Sequence, residues 1–403
     1  MPPAYSEKPR LLFVDDEPML LQGIRRMLHP MREKWYIDFC ESGPQALEKV
    51  TAEKSAYDVV ISDMRMPIMN GAEVLSRIAA LHPGTIRLIL SGHADRQMIM
   101  QSVGIAHRYL SKPCDGRKLT ATLEQALGLR AMLRDEELRR SVSGTISLPS
   151  RPDLYVRLLS VIQQAESSID DVEEIVSHDP AMAGKVLKLV NSAFFGNRGT
   201  AHNLNEAISY VGLDVLRSLA LTLGLFEELK GGFGALTLSS MEALWSHSFD
   251  VAAAARSIAV AEGAEKSIVE ESFIGGLLHD VGKLFVGSPT LPPLSLQPGE
   301  TPVDAERRIY GGTHGEAGGY LFALWGLPSG VVEAVAFHHE PERGLPASEK
   351  DPGFTALTAV HAADALLHRK QHDAVAPFFL HPNGAYLARL GLSERLPAWE
   401  AVI

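Results

Sequence analysis

Cysteine is nearly absent from this chain. Only Cys40 and Cys114 occur among 403 residues, which excludes a disulfide framework and fits a reducing compartment. Long apolar runs are missing too: none is long enough to span a bilayer, and Met1 to Lys8 carry no apolar export core. A cytoplasmic location is therefore expected. Basic residues are outnumbered, 38 Lys and Arg against 49 Asp and Glu, giving a net charge of -11. That balance argues against a broad nucleic-acid-binding face, which needs clustered Lys and Arg. Histidine, by contrast, is plentiful: 15 occur, 11 of them after residue 170. The length calls for two domains or more.

Residues 9–115 alternate short apolar runs with amphipathic stretches. The runs are Leu11 to Val14, Tyr36 to Cys40, Asp58 to Ser62, Ile86 to Ser91 and Tyr109 to Leu110. Met19 to Leu28, Pro44 to Glu53 and Gly71 to Leu81 read as helices between them. Such alternation predicts a parallel, doubly wound sheet, which collects ligands at the carboxyl ends of its strands. From Asp115 to about Ser141 the pattern is that of a last helix running on as a charged connector, either solvated or pairing as a short coiled coil. Ser141 to Pro152 looks like the boundary.

The remainder reads as helical. Three-to-four periodicity marks Arg151 to Ala165, Asp170 to Ser177, Pro180 to Phe194, Asn203 to Phe226, Glu242 to Val260, Ser267 to Phe285, Thr313 to Trp325, Ser329 to Glu340 and Phe354 to His368. Gly231 to Thr237 is a break, and Ser288 to Pro302, with five prolines, is a loop. The apolar stretch Leu213 to Leu229 reads as core, with a partner-binding groove as the other reading.

Two constellations carry chemistry. Asp15 and Asp16 follow the first run, Asp63 ends the third, Ser91 the fourth, and Lys112 follows the fifth. Three carboxylates make an oxygen-only site suited to Mg2+. The Asp63 carboxylate can attack phosphorus, while Ser91 and Lys112 contact phosphoryl oxygens. Tyr109 lies three residues before Lys112, where its ring could swing between exposed and buried positions. With Met66-Pro67, Asn70-Gly71 and Lys112-Pro113, this set resembles the receiver domain of two-component response regulators over roughly residues 9–125. The resemblance implies phosphorylation of Asp63 by a sensor histidine kinase and an Mg2+ shell completed by the backbone carbonyl of Arg65.

The second constellation lies on successive expected helices: His247, His279-Asp280, His314, His338-His339 and Asp364. Imidazoles around a carboxylate suit first-row divalent metals, and a helical bundle can point them inward. Lys283, one turn after His279, could face a substrate phosphate. The pattern resembles the HD superfamily of metal-dependent phosphohydrolases and its HD-GYP branch, which hydrolyses cyclic di-GMP. That resemblance implies one metal on His247, His279, Asp280 and Asp364 and another on Asp280, His314, His338 and His339, the metals being Fe, Mn or Zn. Departures are the tyrosine missing from Gly344-Leu345-Pro346, a short segment from Glu340 to Gly344, and Ala243 where some members have a glutamate.

Residues ahead of the histidines resemble the HDOD domain over roughly 140–345. They are Leu148-Pro149, Asp179-Pro180-Ala181-Met182, the segment Lys188 to Gly196 and the segment Leu204 to Gly212. HDOD domains are mostly regarded as signalling outputs without demonstrated hydrolysis, and many lack the HD ligands that this chain has.

The combined expectation is an α/β plus all-α chain: a flavodoxin-like receiver (1–125), a helical connector (126–145), an HDOD domain (146–345) and a helical extension completing the HD-type core (346–403). Its output would run through contacts with an unidentified downstream protein. The alternative is a phosphohydrolase acting on a cyclic dinucleotide. A homodimer is a further expectation; direct DNA binding and membrane association are not expected.

Overall fold

The structure, a computed structural model, describes residues 8–52, 57–91, 105–112, 115–145, 148, 152–162, 164, 167–191, 201–213, 216, 238–286, 291–344, 353–370 and 381–403. Five strands, β1 (Arg10–Val14), β2 (Tyr36–Cys40), β3 (Val59–Asp63), β4 (Ile86–Ser91) and β5 (Arg108–Ser111), form one parallel sheet in the order β2-β1-β3-β4-β5. Three helices precede β4: α1 (Pro18–Met27), α2 (Gly43–Ala52) and α3 (Gly71–Leu81). Strands β3 and β4 are buried along their whole length, as sheets covered on both faces require.

Strand register brings the strand ends together. Val14 lies opposite Ser62, Asp63 opposite Leu90 and Ser91 opposite Ser111. Asp15, Asp63, Ser91 and Lys112 therefore sit along one carboxyl-terminal edge. Asn70 caps α3 with a reciprocal Glu73 pair, and a Cβ on Gly71 would fall 2.0 Å from the Asp63 carbonyl oxygen. The Asn-Gly pair thus closes the turn directly behind Asp63.

Helices α4 (Gly116–Met132) and α5 (Glu136–Gly144) follow the sheet. The expectation of one helix running on as a charged connector needs correction. The chain breaks at Leu133–Asp135, where the Asp135 side chain accepts from the Leu138 amide at 2.8 Å. Leu133, Leu138 and Val142 are fully buried in the same apolar cluster as Tyr320 and Leu321. This segment is a buried seam against the following helices of its own chain, and the expected boundary at residue 125 falls inside α4.

Ten further described α-helices follow: α6 (Pro152–Ile162), α7 (Ile169–Ser177), α8 (Pro180–Val190), α9 (Leu204–Val211), α10 (Leu238–Ala261), α11 (Lys266–Leu278), α12 (Lys283–Val286), α13 (Pro302–Tyr310), α14 (His314–Trp325) and α15 (Ser329–Phe337). Beyond them lie α16 (Ala356–Lys370), α17 (Gly384–Arg389) and α18 (Leu396–Glu400). Pro180 does open α8, and Asp179 accepts from the Ala181 and Met182 amides at 2.9 and 3.1 Å. Helix α9 ends at Val211, because Gly212 takes φ +78°. Most of the expected helix from there to Phe226, most of the apolar stretch to Leu229, the break at Gly231 to Thr237 and residues 192–196 lie outside the described residues.

The single helix expected from Ser267 to Phe285 is two. α11 stops at Leu278 and α12 starts at Lys283, with His279 and Asp280 in the turn between. Gly282 explains the break: a Cβ there would meet the His314 carbonyl oxygen at 1.8 Å. Only a bare backbone lets this turn touch the start of α14. Helices α10, α11, α15 and α16 pack around that turn.

Candidate functional site

At the sheet edge, Lys112 Nζ lies 2.7 Å from Asp15 Oδ2 and 2.6 Å from Asp63 Oδ1. The Arg65 amide donates to Asp63 Oδ2 at 3.1 Å, and the Glu17 amide to Asp15 Oδ1 at 3.0 Å. Oxygens of Asp15, Asp16 and Asp63 lie within 4.8 Å of one another. Burial raises the Asp63 carboxyl above its ordinary range, against the pull of Lys112. Burial also depresses the Lys112 ammonium, but its contacts with Asp15 and Asp63 outweigh this and raise it. An oxygen-only pocket with two aspartates beside a buried carboxylate fits Mg2+. Ser91 is buried at the end of β4. Tyr109, expected to swing, is buried in the structure.

The second site is a knot of imidazoles. Asp280 is fully buried, with Lys283 Nζ at 2.5 Å, His314 Nε2 at 3.3 Å, His279 Nε2 at 3.5 Å, and His247 and His338 Nε2 each at 3.9 Å. Asp364 Oδ1 lies 3.2 Å from His247 Nε2 and 3.7 Å from His279 Nε2, and Asp364 Oδ2 lies 3.7 Å from His339 Nδ1. Donor atoms of Asp280, His314, His338 and His339 lie within 4.8 Å of one another, as do those of His247, His279 and Asp280. Lys283, expected to face a phosphate, has its ammonium on Asp280 instead.

Proton bookkeeping decides what this knot can hold. The backbone oxygens of Gly276 and Val335 take the Nδ1–H of His279 (2.7 Å) and His338 (2.8 Å), and Glu306 takes that of His314 (2.8 Å). That turns three Nε2 atoms inward: those of His314 and His338 face each other at 3.3 Å, and that of His279 carries a lone pair toward carboxylates that can only accept. His279 Nε2 and Asp280 Oδ1 are buried and have no hydrogen-bond partner. Buried acceptors converging on acceptors are costly unless cations lie between them. The donor set therefore fits divalent metal ions. Burial depresses His279 and His338; for His314 burial is outweighed by Glu306 and Asp280, which raise it to about 9. Metal binding there would displace a proton. Burial works against the Asp280 carboxylate as well, yet His279, Lys283 and His314 hold it well below the usual carboxylate range.

Three residues of this site were missed from sequence. Glu306 orients His314 from α13, and nothing in its spacing marks it. His361 lies on the ligand helix α16, yet both of its nitrogens serve backbone: Nδ1 donates to the His338 carbonyl at 2.5 Å, and Nε2 accepts from the Asn383 amide at 2.8 Å. It positions His338. The third is His368, one turn after Asp364, and an i, i+4 pairing with that aspartate was the available signal. A cavity of about 330 Å3 reaches this centre, bordered by Asp304, His339, Glu340, His361, Asp364 and Asn383. That size is at the low end for ligand pockets. Arg307 and Arg343 nearby are held by Glu340 and Glu316.

The two sites share one structure. His107, before β5, accepts from the Arg87 amide at Nδ1 (2.9 Å), so its Nε2–H donates to the Ser143 carbonyl at 2.6 Å. The Ser143 hydroxyl pairs with Tyr320 Oη at 2.9 Å. Tyr320 lies on α14, the helix that begins with His314. All four residues are buried.

Residues 11–124 match the response regulator receiver domain family, and residues 148–341 match the HDOD domain family. The chain belongs to the response regulators that join a receiver domain to an HDOD domain. An uncharacterized protein of Treponema pallidum (strain Nichols) is 28% identical over 213 residues, 50% of this chain and 40% of that protein. The transcriptional regulatory protein GlrR of Escherichia coli (strain K12) is 31% identical over 172 residues, 41% of this chain and 36% of GlrR. The chain thus spans less than half the length of these curated relatives. Among solved structures, the MmoQ response regulator of Methylococcus capsulatus is 25% identical, covering 63% of this chain and 98% of that one, with a TM-score of 0.45. Among the described residues no helix is long and apolar enough to cross a membrane.

Proposed function

We propose that Asp63 is the phosphoacceptor of a cytoplasmic regulator whose HDOD domain binds two metal ions and signals through contacts with a downstream protein. A carboxylate oxygen of Asp63 would attack the phosphorus of a phosphohistidine on a sensor histidine kinase, forming an acyl phosphate and freeing the imidazole. Mg2+, when bound by Asp15, Asp16, Asp63 and the Arg65 carbonyl, supplies charge to offset the incoming phosphoryl oxygens. Lys112 would move from its pairing with Asp15 and Asp63 to a phosphoryl oxygen, and Ser91 would donate to another.

The observation that carries the metal reading is the set of inward-facing Nε2 atoms of His279, His314 and His338 around the buried Asp280. One ion would take His247, His279, Asp280 and Asp364, the other Asp280, His314, His338 and His339. Metal-dependent hydrolysis of a phosphodiester such as a cyclic dinucleotide is the second reading. The cavity touching His339 and Asp364 favours it, since substrate could reach the centre there.

The test is made on the full chain. A small phosphodonor should label wild type and not Asp63→Asn; label persisting in the variant refutes the acceptor. Purified protein should carry Mn, Fe or Zn that His279→Ala loses; metal-free wild type, prepared under reducing conditions, refutes the centre. Cyclic di-GMP turnover lost in His279→Ala would establish the hydrolase reading, and none in metal-loaded wild type would remove it.

A further inference from the structure

We propose that His368 is itself a metal ligand, extending the shell at the His247–Asp364 end of the centre. The proposal rests on the reading that this centre holds metal. His368 Nε2 lies 3.3 Å from Asp364 Oδ1, and the His247 Nε2 lies 3.2 Å from the same oxygen. The His247 and His368 rings approach to 4.9 Å between centroids. Donor atoms of His247, Asp364 and His368 lie within 4.8 Å of one another.

These spacings are those of a coordination shell. Ligands at about 2.1 Å from a metal, subtending 90–109°, stand about 3.0–3.4 Å apart. The alternative is that His368 only donates a hydrogen bond to Asp364 and orients it. Asp364 Oδ1 is already shared, however, with His247 at 3.2 Å and His279 at 3.7 Å. His247 and His368 flank it with donor atoms within 4.8 Å of one another, so one ion would be in reach of both nitrogens and the oxygen. If the rings instead turn their lone pairs to a common cation, all of these contacts become favourable.

His361, on the same helix, is placed differently. Both of its nitrogens are engaged by backbone groups, so it has no lone pair to offer. His368 shares its face of α16 with Asp364, one turn away, and its side chain is 14% exposed.

The test compares metal content, affinity and spectra of full-length wild type, His368→Gln and His368→Cys. Glutamine can still donate to Asp364 but is a poor ligand; cysteine can ligate but is a poor donor. His368→Gln should bind Mn2+ at least 10-fold more weakly or lose one equivalent, with circular dichroism unchanged. Co2+-loaded His368→Cys should show a sulfur-to-cobalt charge-transfer band absent from wild type. Wild-type affinity in His368→Gln together with no such band in His368→Cys would overturn the proposal and leave the centre standing. Metal-free wild type would instead overturn the centre, and this ligand with it. Should His368→Gln misfold, the cysteine band alone decides.

Discussion

Replacing Gly282 by alanine tests the architecture of the centre without touching a ligand. The added Cβ would lie 1.8 Å from the His314 carbonyl oxygen, 2.6 Å from its carbon and 2.9 Å from the Gly318 amide nitrogen. All three are backbone atoms of one helix, so no side chain can swing aside. Restoring ordinary contact at 3.4 Å needs the turn and α14 to part by about 1.6 Å. Overpacking costs about 1–3 kcal/mol, and rigid neighbours put this case at the upper end. Reduced freedom of the unfolded chain returns about 0.4–1 kcal/mol, leaving a net loss of about 2–3 kcal/mol.

The same displacement acts on metal. His314 Nε2 is now 3.3 Å from Asp280 Oδ1. Two ligands on one ion at about 2.1 Å each can stand no more than about 4.2 Å apart, so an opening of that size exceeds the limit. Affinity should fall by about 10–100-fold or more. Urea unfolding of metal-free protein gives the first number, and chelator-competition titration with Mn2+ the second. Stability within about 0.5 kcal/mol and unchanged Mn2+ affinity would refute the close approach of this turn to α14.

Two further outcomes are expected. Burial, with repulsion from Arg87 and Lys185, pushes Lys188 down to about 7, while the unfolded chain keeps that proton to about 10.4. The associated stability is present above the unfolded value and lost as pH falls through about 7, so between pH 7.5 and 9.5 wild type should gain on Lys188→Met with a slope approaching about 1.4 kcal/mol per pH unit; parallel urea midpoints would contradict this. Tyr320→Phe should cost about 1–2 kcal/mol by leaving the buried Ser143 hydroxyl without its 2.9 Å partner, and an unchanged melting curve would show that the pair does not form.

The receiver was legible because its chemistry is local to strand ends. Apolar runs of period and length suited to parallel strands put Asp15, Asp63, Ser91 and Lys112 at their carboxyl ends, and parallel register does the rest. The seven candidate ligands of the centre were legible by residue type. Where they end in the fold was less so, because helix periodicity does not register a break at His279–Gly282, where α11 continues as α12 after a turn. The connector was misread because Arg130, Arg134, Arg139 and Arg140 imply a wet helix. Only packing shows that Leu133, Leu138 and Val142 face the neighbouring helices.

By itself, then, the sequence determined the domain order, the aspartate-lined sheet edge and the types of donor on each helix, since each depends on neighbours a few residues apart. Tertiary structure alone decided which histidines turn Nε2 inward. Glu306 and the backbone oxygens of Gly276 and Val335 set the tautomers of His314, His279 and His338. The same accounting separates His361, whose nitrogens are consumed by backbone, from His368, which stands beside Asp364. Two histidines two turns apart on one helix look alike in sequence; hydrogen bonds to distant main-chain groups make His361 a support for His338.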